Sequence, residues 1–127
     1  MRIRSALLGV VLAATVAPAV AAGPAYASDW APYAQAAAIV NANGTLAKAK
    51  NVTAASRASA GFYCVTLDAS VDPAQSAITA TPFNSVNRIG VVYPAPASRC
   101  GNDPQTLEIR SYTGSAYSDS AFTLVVS

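Results

Sequence analysis

Apolar and polar residues alternate in the second half of the chain. In residues 106–112 (TLEIRSY), Leu107 and Ile109 fall on one side of an extended strand. Glu108 and Arg110 fall on the other side, because successive side chains of a strand point to opposite faces. This alternation predicts a strand with one face on a hydrophobic core and the other in water.

The last residues of the chain follow the same rule. Residues 121–126 (AFTLVV) put Phe122, Leu124 and Val126 on one face, which predicts another half-buried strand. Residues 113–120, between the two strands, are polar and typical of a turn. We therefore predict that these two strands pair as a hairpin.

Short runs of β-forming residues bounded by turn residues account for most of the remaining chain. The predicted strands are residues 35–40, 45–47, 52–57, 61–67, 76–81 and 89–93. The Asn43-Gly44 pair between the first two predicts a hairpin, because both residues tolerate a positive φ angle. No window holds a helical period. About seven short strands predict an all-β fold, a small antiparallel β-sandwich or barrel.

The N-terminus has the features of a secretory signal peptide. Two arginines precede an apolar run at residues 6–16, and small residues stand on either side of Tyr26. We predict a signal peptide over residues 1–27 with cleavage before Ser28, and a cut after Ala21 or Ala22 is the alternative. A transmembrane anchor would need a longer run, of roughly 20 apolar residues.

Cleavage would leave one small domain, residues 28–127, whose charges balance. Without Arg2 and Arg4, six basic residues stand against six acidic ones. A neutral domain with scattered charges has no electrostatic reason to bind nucleic acid or anionic lipid. We therefore expect a secreted, extracellular protein with no nucleic-acid partner and no membrane association after cleavage. Its partner would be extracellular or in the cell wall, and homo-oligomerisation stays open.

Cys64 and Cys100 are the only cysteines. In an exported protein they are expected to pair, closing a loop for which the chain-entropy model gives roughly 4 kcal/mol. Two free thiols, or one thiol acting as a nucleophile, are the alternative. The chain has no histidine to activate such a thiol.

One pattern resembles a known group of proteins. It runs through Val40-Asn41, Gly44-Thr45-Leu46, Val52, Arg57, Gly61, Tyr63 and Val65, and continues in Leu107, Ile109, Gly114 and Ser120-Ala121-Phe122. It resembles small secreted actinobacterial β-domain proteins, and related modules look like the C-terminal domains of phage tail-fibre and collagen-like bacterial proteins. The resemblance implies a turn at Gly44, a strand opened by Gly61, and core positions for Tyr63 and Val65. The resemblance implies a fold and an extracellular location, and it implies no activity.

The absence of histidine excludes a Ser-His-Asp triad and histidine metal sites. A carboxylate pair is the remaining catalytic candidate, drawn from Asp68, Asp72, Asp103, Glu108 and Asp119. A domain this small offers little cleft for a sugar substrate, and aspartate is common in turns. We therefore predict a protein that is not an enzyme, with no catalytic residues, no cofactor and no metal site.

Three binding features stay open. Asp68 and Asp72 flank one turn and could share a calcium ion, although two solvated turn residues are the commoner arrangement. A carbohydrate surface could be lined by aromatic residues in less apolar contexts: Trp30, Tyr33, Tyr112 and Tyr117. The third feature is the proline-rich loop 94–104, which the disulfide would tether.

Our leading functional prediction is a secreted, non-enzymatic β-domain with an interaction or structural role. The alternative is a secreted inhibitor or ligand-binding domain that presents the loop 94–104 to its target, because a tethered loop loses little entropy on binding.

Overall fold

The computed structural model describes residues 30–92 and 97–127, and this part of the chain contains nine β-strands and no α-helix. The strands are β1 (Ala36–Val40), β2 (Leu46–Lys50), β3 (Val52–Ser59), β4 (Phe62–Leu67), β5 (Ile78–Pro82), β6 (Arg88–Val92), β7 (Thr106–Thr113), β8 (Ala116–Tyr117) and β9 (Phe122–Val126). They form two antiparallel sheets, which confirms the predicted all-β class. The predicted signal peptide, residues 1–27, lies outside the described residues.

The chain winds between the two sheets. The first sheet has the strand order β2-β1-β9-β5, and the second has the order β3-β4-β7-β6, with β8 paired to the end of β7. The chain changes sheets between β2 and β3, where Asn51 has a φ of 53°. It changes sheets again between β4 and β5, between β5 and β6, and between β8 and β9. Edge strand β3 pairs irregularly between Val52 and Ala54 and between Arg57 and Ser59.

The core lies between the sheets. Its most deeply buried members are Ala36, Ala38, Val40, Tyr63, Val65, Leu67, Leu107, Ile109, Phe122, Leu124 and Val126. Strand β1 contributes small alanines, whereas β4 and β9 contribute the rings of Tyr63 and Phe122, whose centroids lie 5.2 Å apart, edge to face. The predicted core positions of β4 and β9 are confirmed.

The hydroxyl of Tyr63 joins three parts of the fold. It donates a 2.7 Å hydrogen bond to the carbonyl of Ala42, in the β1–β2 turn, and accepts one of 3.1 Å from the N–H of Ser120. The residue is completely buried, and this burial raises the pKa of Tyr63. Because a buried hydroxyl needs hydrogen-bond partners, these two bonds fix the turn and the β8–β9 connection against β4.

The predicted hairpin around Asn43-Gly44 is confirmed, with one difference in the turn. Strands β1 and β2 pair antiparallel up to Val40 and Leu46. Only Gly44 of the pair has a positive φ, of 93°, and Asn43 instead accepts hydrogen bonds from the backbone N–H and hydroxyl of Thr45. The turn is therefore a longer loop held by side chains, and not a two-residue turn.

The predicted hairpin between the last two long strands is wrong. Strand β7 turns at Gly114 and pairs with β8, so that Tyr112 lies opposite Tyr117. The chain then crosses to the first sheet, where β9 lies between β1 and β5. Alternation determines which side of β9 is apolar. That side would be buried in the core whichever of the two sheets β9 joined. The pattern therefore identified the strand and not its neighbour.

The outer side of β7 is also less exposed to solvent than predicted. Glu108 is only 3% exposed, because β7 lies between β4 and β6 and the disulfide-linked segment packs beside it. The alternation of Leu107 and Ile109 toward the core is confirmed, whereas the assignment of Glu108 to water is wrong.

Candidate binding face

Strand pairing collects basic and aromatic residues on the side of the second sheet that points away from the core, which we call the outer face. Across β4, β7 and β6, Phe62 pairs with Arg110, which pairs with Gly90. One step away, Tyr112 lies between Arg88 of β6 and Tyr117 of β8. Because residues paired across neighbouring strands point to the same side of a sheet, this register brings their side chains together.

The predicted disulfide adds one more arginine to this face. Cys64 and Cys100 are bonded, with their Cα atoms 5.6 Å apart, and the described residues contain no free cysteine. The bond holds a short 3₁₀ helix, Ser98–Cys100, over β4. The guanidinium carbon of Arg99 consequently lies 4.0 Å from the centre of the Phe62 ring.

Arginines and aromatic rings alternate across the outer face. The guanidinium carbon of Arg110 lies 5.4 Å from the Phe62 ring, and that of Arg88 lies 5.4 Å from the Tyr112 ring. These distances fit cation–π contacts, which hold a guanidinium flat against a ring. Tyr117 connects the rings, at 4.4 Å from Phe62 and 6.0 Å from Tyr112. The cluster is therefore one connected layer.

The charge of this layer is positive. Glu108 accepts a hydrogen bond from Nε of Arg110, and this ion pair raises the pKa of Arg110. Arg88 and Arg99 form no ion pair with any described residue. The expectation of scattered charges is thus wrong for this surface, because strand pairing places Arg88, Arg110 and Glu108 on it and the disulfide adds Arg99.

A hollow of about 370 Å³ opens between β6, β7 and β8. Gly90 lies in its floor, and its walls include Arg110, Tyr112 and Tyr117. A Cβ atom built on Gly90 would meet only the Tyr112 hydroxyl, at 3.7 Å, so the glycine leaves this space open without being required by the backbone. A second hollow of about 420 Å³ is lined by Arg99 and by mainly small residues of β3 and β4.

The predicted aromatic candidates separate into two groups. Tyr112 and Tyr117 meet on the outer face, whereas Trp30 and Tyr33 do not belong to it. Lys48 lies 5.5 Å over the Trp30 ring, and Tyr33 is 99% exposed in the segment before β1.

Sequence reasoning missed Phe62 as part of this face, since its apolar surroundings in the chain suggest a core residue. Phe62 is buried, but beneath Arg99 and beside Tyr117 on the outer face. The signal that could have found it is alternation. Tyr63 and Val65 point to the core, so Phe62 must point away.

Asp68 and Asp72 each accept hydrogen bonds from a residue two positions further along the chain. Oδ2 of Asp68 accepts hydrogen bonds from the N–H and hydroxyl of Ser70, which lower the pKa of Asp68. Oδ1 of Asp72 accepts a 3.0 Å bond from the N–H of Ala74 at the start of the short 3₁₀ helix Pro73–Gln75. Within residues 30–92 and 97–127, no three His, Cys, Asp or Glu side chains form a metal-binding group.

Asp119 fastens the β8–β9 connection to the second sheet. Its two carboxylate oxygens accept hydrogen bonds of 2.9 and 2.8 Å from Nε of Arg57, and Oδ1 accepts another from the N–H of Gly61. The Arg57 hydrogen bonds are the main reason that the pKa of Asp119 lies below its usual value.

This pair predicts a stability difference that depends on pH. A carboxylate whose pKa is depressed by folding stabilises the protein above its unfolded pKa of about 3.9, and the contribution disappears as the pH falls through the folded value. Asp119→Asn should therefore lower the melting temperature by a few degrees near neutral pH, because the amide has no negative charge and only one oxygen that can accept from Arg57 and Gly61. The difference in melting temperature between Asp119→Asn and wild type should narrow below about pH 4. Melting curves from pH 7 to pH 2 would measure it, and a gap that stays constant would contradict the assignment.

No helix in the described part of the chain is long and apolar enough to cross a membrane. In comparisons with protein-family models, curated proteins and solved structures, nothing matches this chain. The resemblance to secreted actinobacterial β-domains stays a prediction.

Proposed function

We propose that this chain is a secreted, non-enzymatic domain that binds an extracellular or cell-wall partner through its outer face. The observation that carries the proposal is the layer of Arg88, Arg99 and Arg110 on Phe62, Tyr112 and Tyr117, beside an open hollow. Arginine and tyrosine are the residues most often responsible for binding energy at protein interfaces.

The layer is also held in place before any partner arrives. Most of its side chains project from paired strands, and Arg99 is fixed by the disulfide and by its contact with Phe62. A rigid binding surface loses less conformational entropy on association than a flexible one. Binding therefore suits this face better than a purely structural role does.

Export supports the same proposal. The predicted signal peptide directs the chain to an oxidising compartment, and the Cys64–Cys100 bond is of the kind that persists there. In this proposal the mature protein begins at Ser28 and has neither a nucleic-acid partner nor a membrane anchor.

The second candidate is an inhibitor that presents the loop 94–104. Ser98, Gly101 and Asn102 are exposed, which favours presentation of this loop. Arg99, however, lies over Phe62. A substrate-like inhibitor would instead project such a side chain toward an enzyme cleft. Residues 94–96 of the loop lie outside the described part of the chain.

The test uses protein secreted from a host that expresses the full chain. Intact-mass analysis should show a mature form that begins at Ser28. That form should be retained by cell-wall or culture-medium fractions of the source organism. Arg88→Gln combined with Tyr117→Ala should abolish retention. The control is Lys48→Gln combined with Tyr33→Ala, which removes one positive charge and one tyrosine ring outside the outer face and should leave retention unchanged. Equal retention of both double variants would refute the proposal that the outer face is the binding site. Inhibition of a protease by the wild-type protein would favour the inhibitor that presents the loop 94–104.

A further inference from the structure

The outer face has the chemistry to recognise an acidic sugar chain. Resting on the function proposed above, we propose that its partner is a polysaccharide whose sugar rings carry carboxylate groups. The hollow beside Gly90 receives one ring, and the neighbouring arginines bind the acid groups.

The hollow combines the two surfaces that a sugar ring presents. A sugar has apolar C–H faces, which pack on aromatic rings, and a polar edge of hydroxyl groups. Tyr117 is 48% exposed and stands at the wall of the hollow, with Tyr112 beside it. Gly90 leaves the floor without a side chain, and Ser115 adds a polar group to the rim. A volume of about 370 Å³ lies at the small end of the range for ligand sites, which suits one or two rings.

The charges favour a carboxylated sugar over a neutral one. Arg88 and Arg99 have no acidic partner among the described residues. Arg110 is already paired with a carboxylate through Nε, and its side chain remains 37% exposed, so its outer nitrogens can donate to a second acid group. Guanidinium groups match the planar geometry of carboxylates, with two parallel hydrogen bonds.

The shape of the face favours a chain over a single sugar. Arg99 lines the second hollow, and its guanidinium lies over Phe62, which pairs with Arg110 at the first hollow. The second hollow is lined by residues with small side chains, among them Ala54, Ser56 and Thr66. A polymer with an acid group on each ring would place successive carboxylates near Arg88, Arg110 and Arg99. An acidic peptide would match the charges but would make no use of the ring-sized hollow.

The experiment measures binding of the secreted protein to polygalacturonate, with dextran as the neutral control and poly-L-glutamate as the acidic-peptide control. Polygalacturonate should bind at least about tenfold more tightly than either control, and each tenfold step corresponds to ~1.4 kcal/mol. Equal binding of poly-L-glutamate would show that charge alone, or an acidic peptide, is recognised. Equal binding of dextran would show that the arginines are not used. Either result would overturn the proposal.

Three variants locate the site. Gly90→Leu fills the hollow without meeting a backbone clash, and should weaken binding about tenfold or more. Arg88→Gln should weaken binding more than Lys48→Gln, which removes the same charge from the first sheet. Tyr117→Ala should weaken it more than Tyr33→Ala. Melting temperatures within a few degrees of wild type would confirm that the variants fold, and equal effects within these matched pairs would overturn the site.

Failure of this inference can be told from failure of the proposed function. If cell-wall retention depends on Arg88 and Tyr117 while polygalacturonate does not bind, the outer face is the binding site and its ligand is of another class. If retention does not depend on them either, both proposals fall.

Discussion

Replacing both cysteines by alanine should lower the melting temperature by about 15 °C or more. The Cys64–Cys100 bond joins residues 36 positions apart, and the chain-entropy model gives roughly 4 kcal/mol for a loop of this length. For a domain of about one hundred residues, each 1 kcal/mol corresponds to roughly 4–8 °C. The alanines in the core bury little apolar surface each, so the fold has little reserve to absorb the loss.

Thermal melts of the secreted wild type and of Cys64→Ala/Cys100→Ala would measure this effect. A thiol assay on unfolded wild-type protein serves as the control, and it should find no titratable thiol. An unchanged melting temperature would show that the two sheets hold without the bond. The sugar binding proposed above should also weaken in the double variant well below its melting temperature, since Arg99 would no longer be held over Phe62.

Gly61→Ala should destabilise the protein strongly, although it adds only one methyl group. Gly61 has a φ of 76°, and a Cβ atom there would lie 2.5 Å from the carbonyl oxygen of Ser111 and 2.9 Å from the nitrogen of Ser118. Neither backbone atom can move alone, because each belongs to hydrogen-bonded pairing around β7. The left-handed conformation costs about 1–2 kcal/mol and overpacking typically another 1–3, so we expect a total loss of roughly 2–5 kcal/mol.

Gly114→Ala is the matched control. Gly114 also has a positive φ, of 62°, but a Cβ atom there would meet nothing within 4 Å. It should therefore cost only the conformational part, about 1–2 kcal/mol. Urea unfolding of both variants would separate the two contributions. If the variants lose equal stability, the close approach of Gly61 to Ser111 and Ser118 does not matter in solution.

Periodicity in the sequence was sufficient for the parts of the fold that depend on one strand at a time. The inward set Phe122, Leu124 and Val126 follows from alternation, whereas the core positions of Tyr63 and Val65 were implied by the resemblance. The disulfide followed from a count of cysteines and from the prediction that the chain is exported. Each of these depends on local geometry or on composition, and no knowledge of neighbouring strands is needed.

The binding face could not be predicted in the same way. Arg88, Arg99 and Arg110 are well separated in the chain and belong to β6, a 3₁₀ helix and β7. Only the pairing of β4, β7 and β6 brings them to one surface, and pairing depends on the whole sandwich. Alternation does show that Phe62 and Tyr112 point away from the core, but it does not show that they meet. The error in placing β9 beside β7 has the same origin.

The edge strands described above also affect how copies of the protein can meet. Edge strand β2 carries Lys48 and Lys50, and β5 ends at Pro82, which has no N–H to donate. The irregular pairing of β3 breaks the regular ladder that an added strand would need. Charged residues, prolines and bulges are the devices by which β-proteins avoid joining edge to edge and aggregating. Extension of the sheets from one molecule to the next is therefore disfavoured at these three edges, so that the β-rich surface does not offer itself as a template for aggregation.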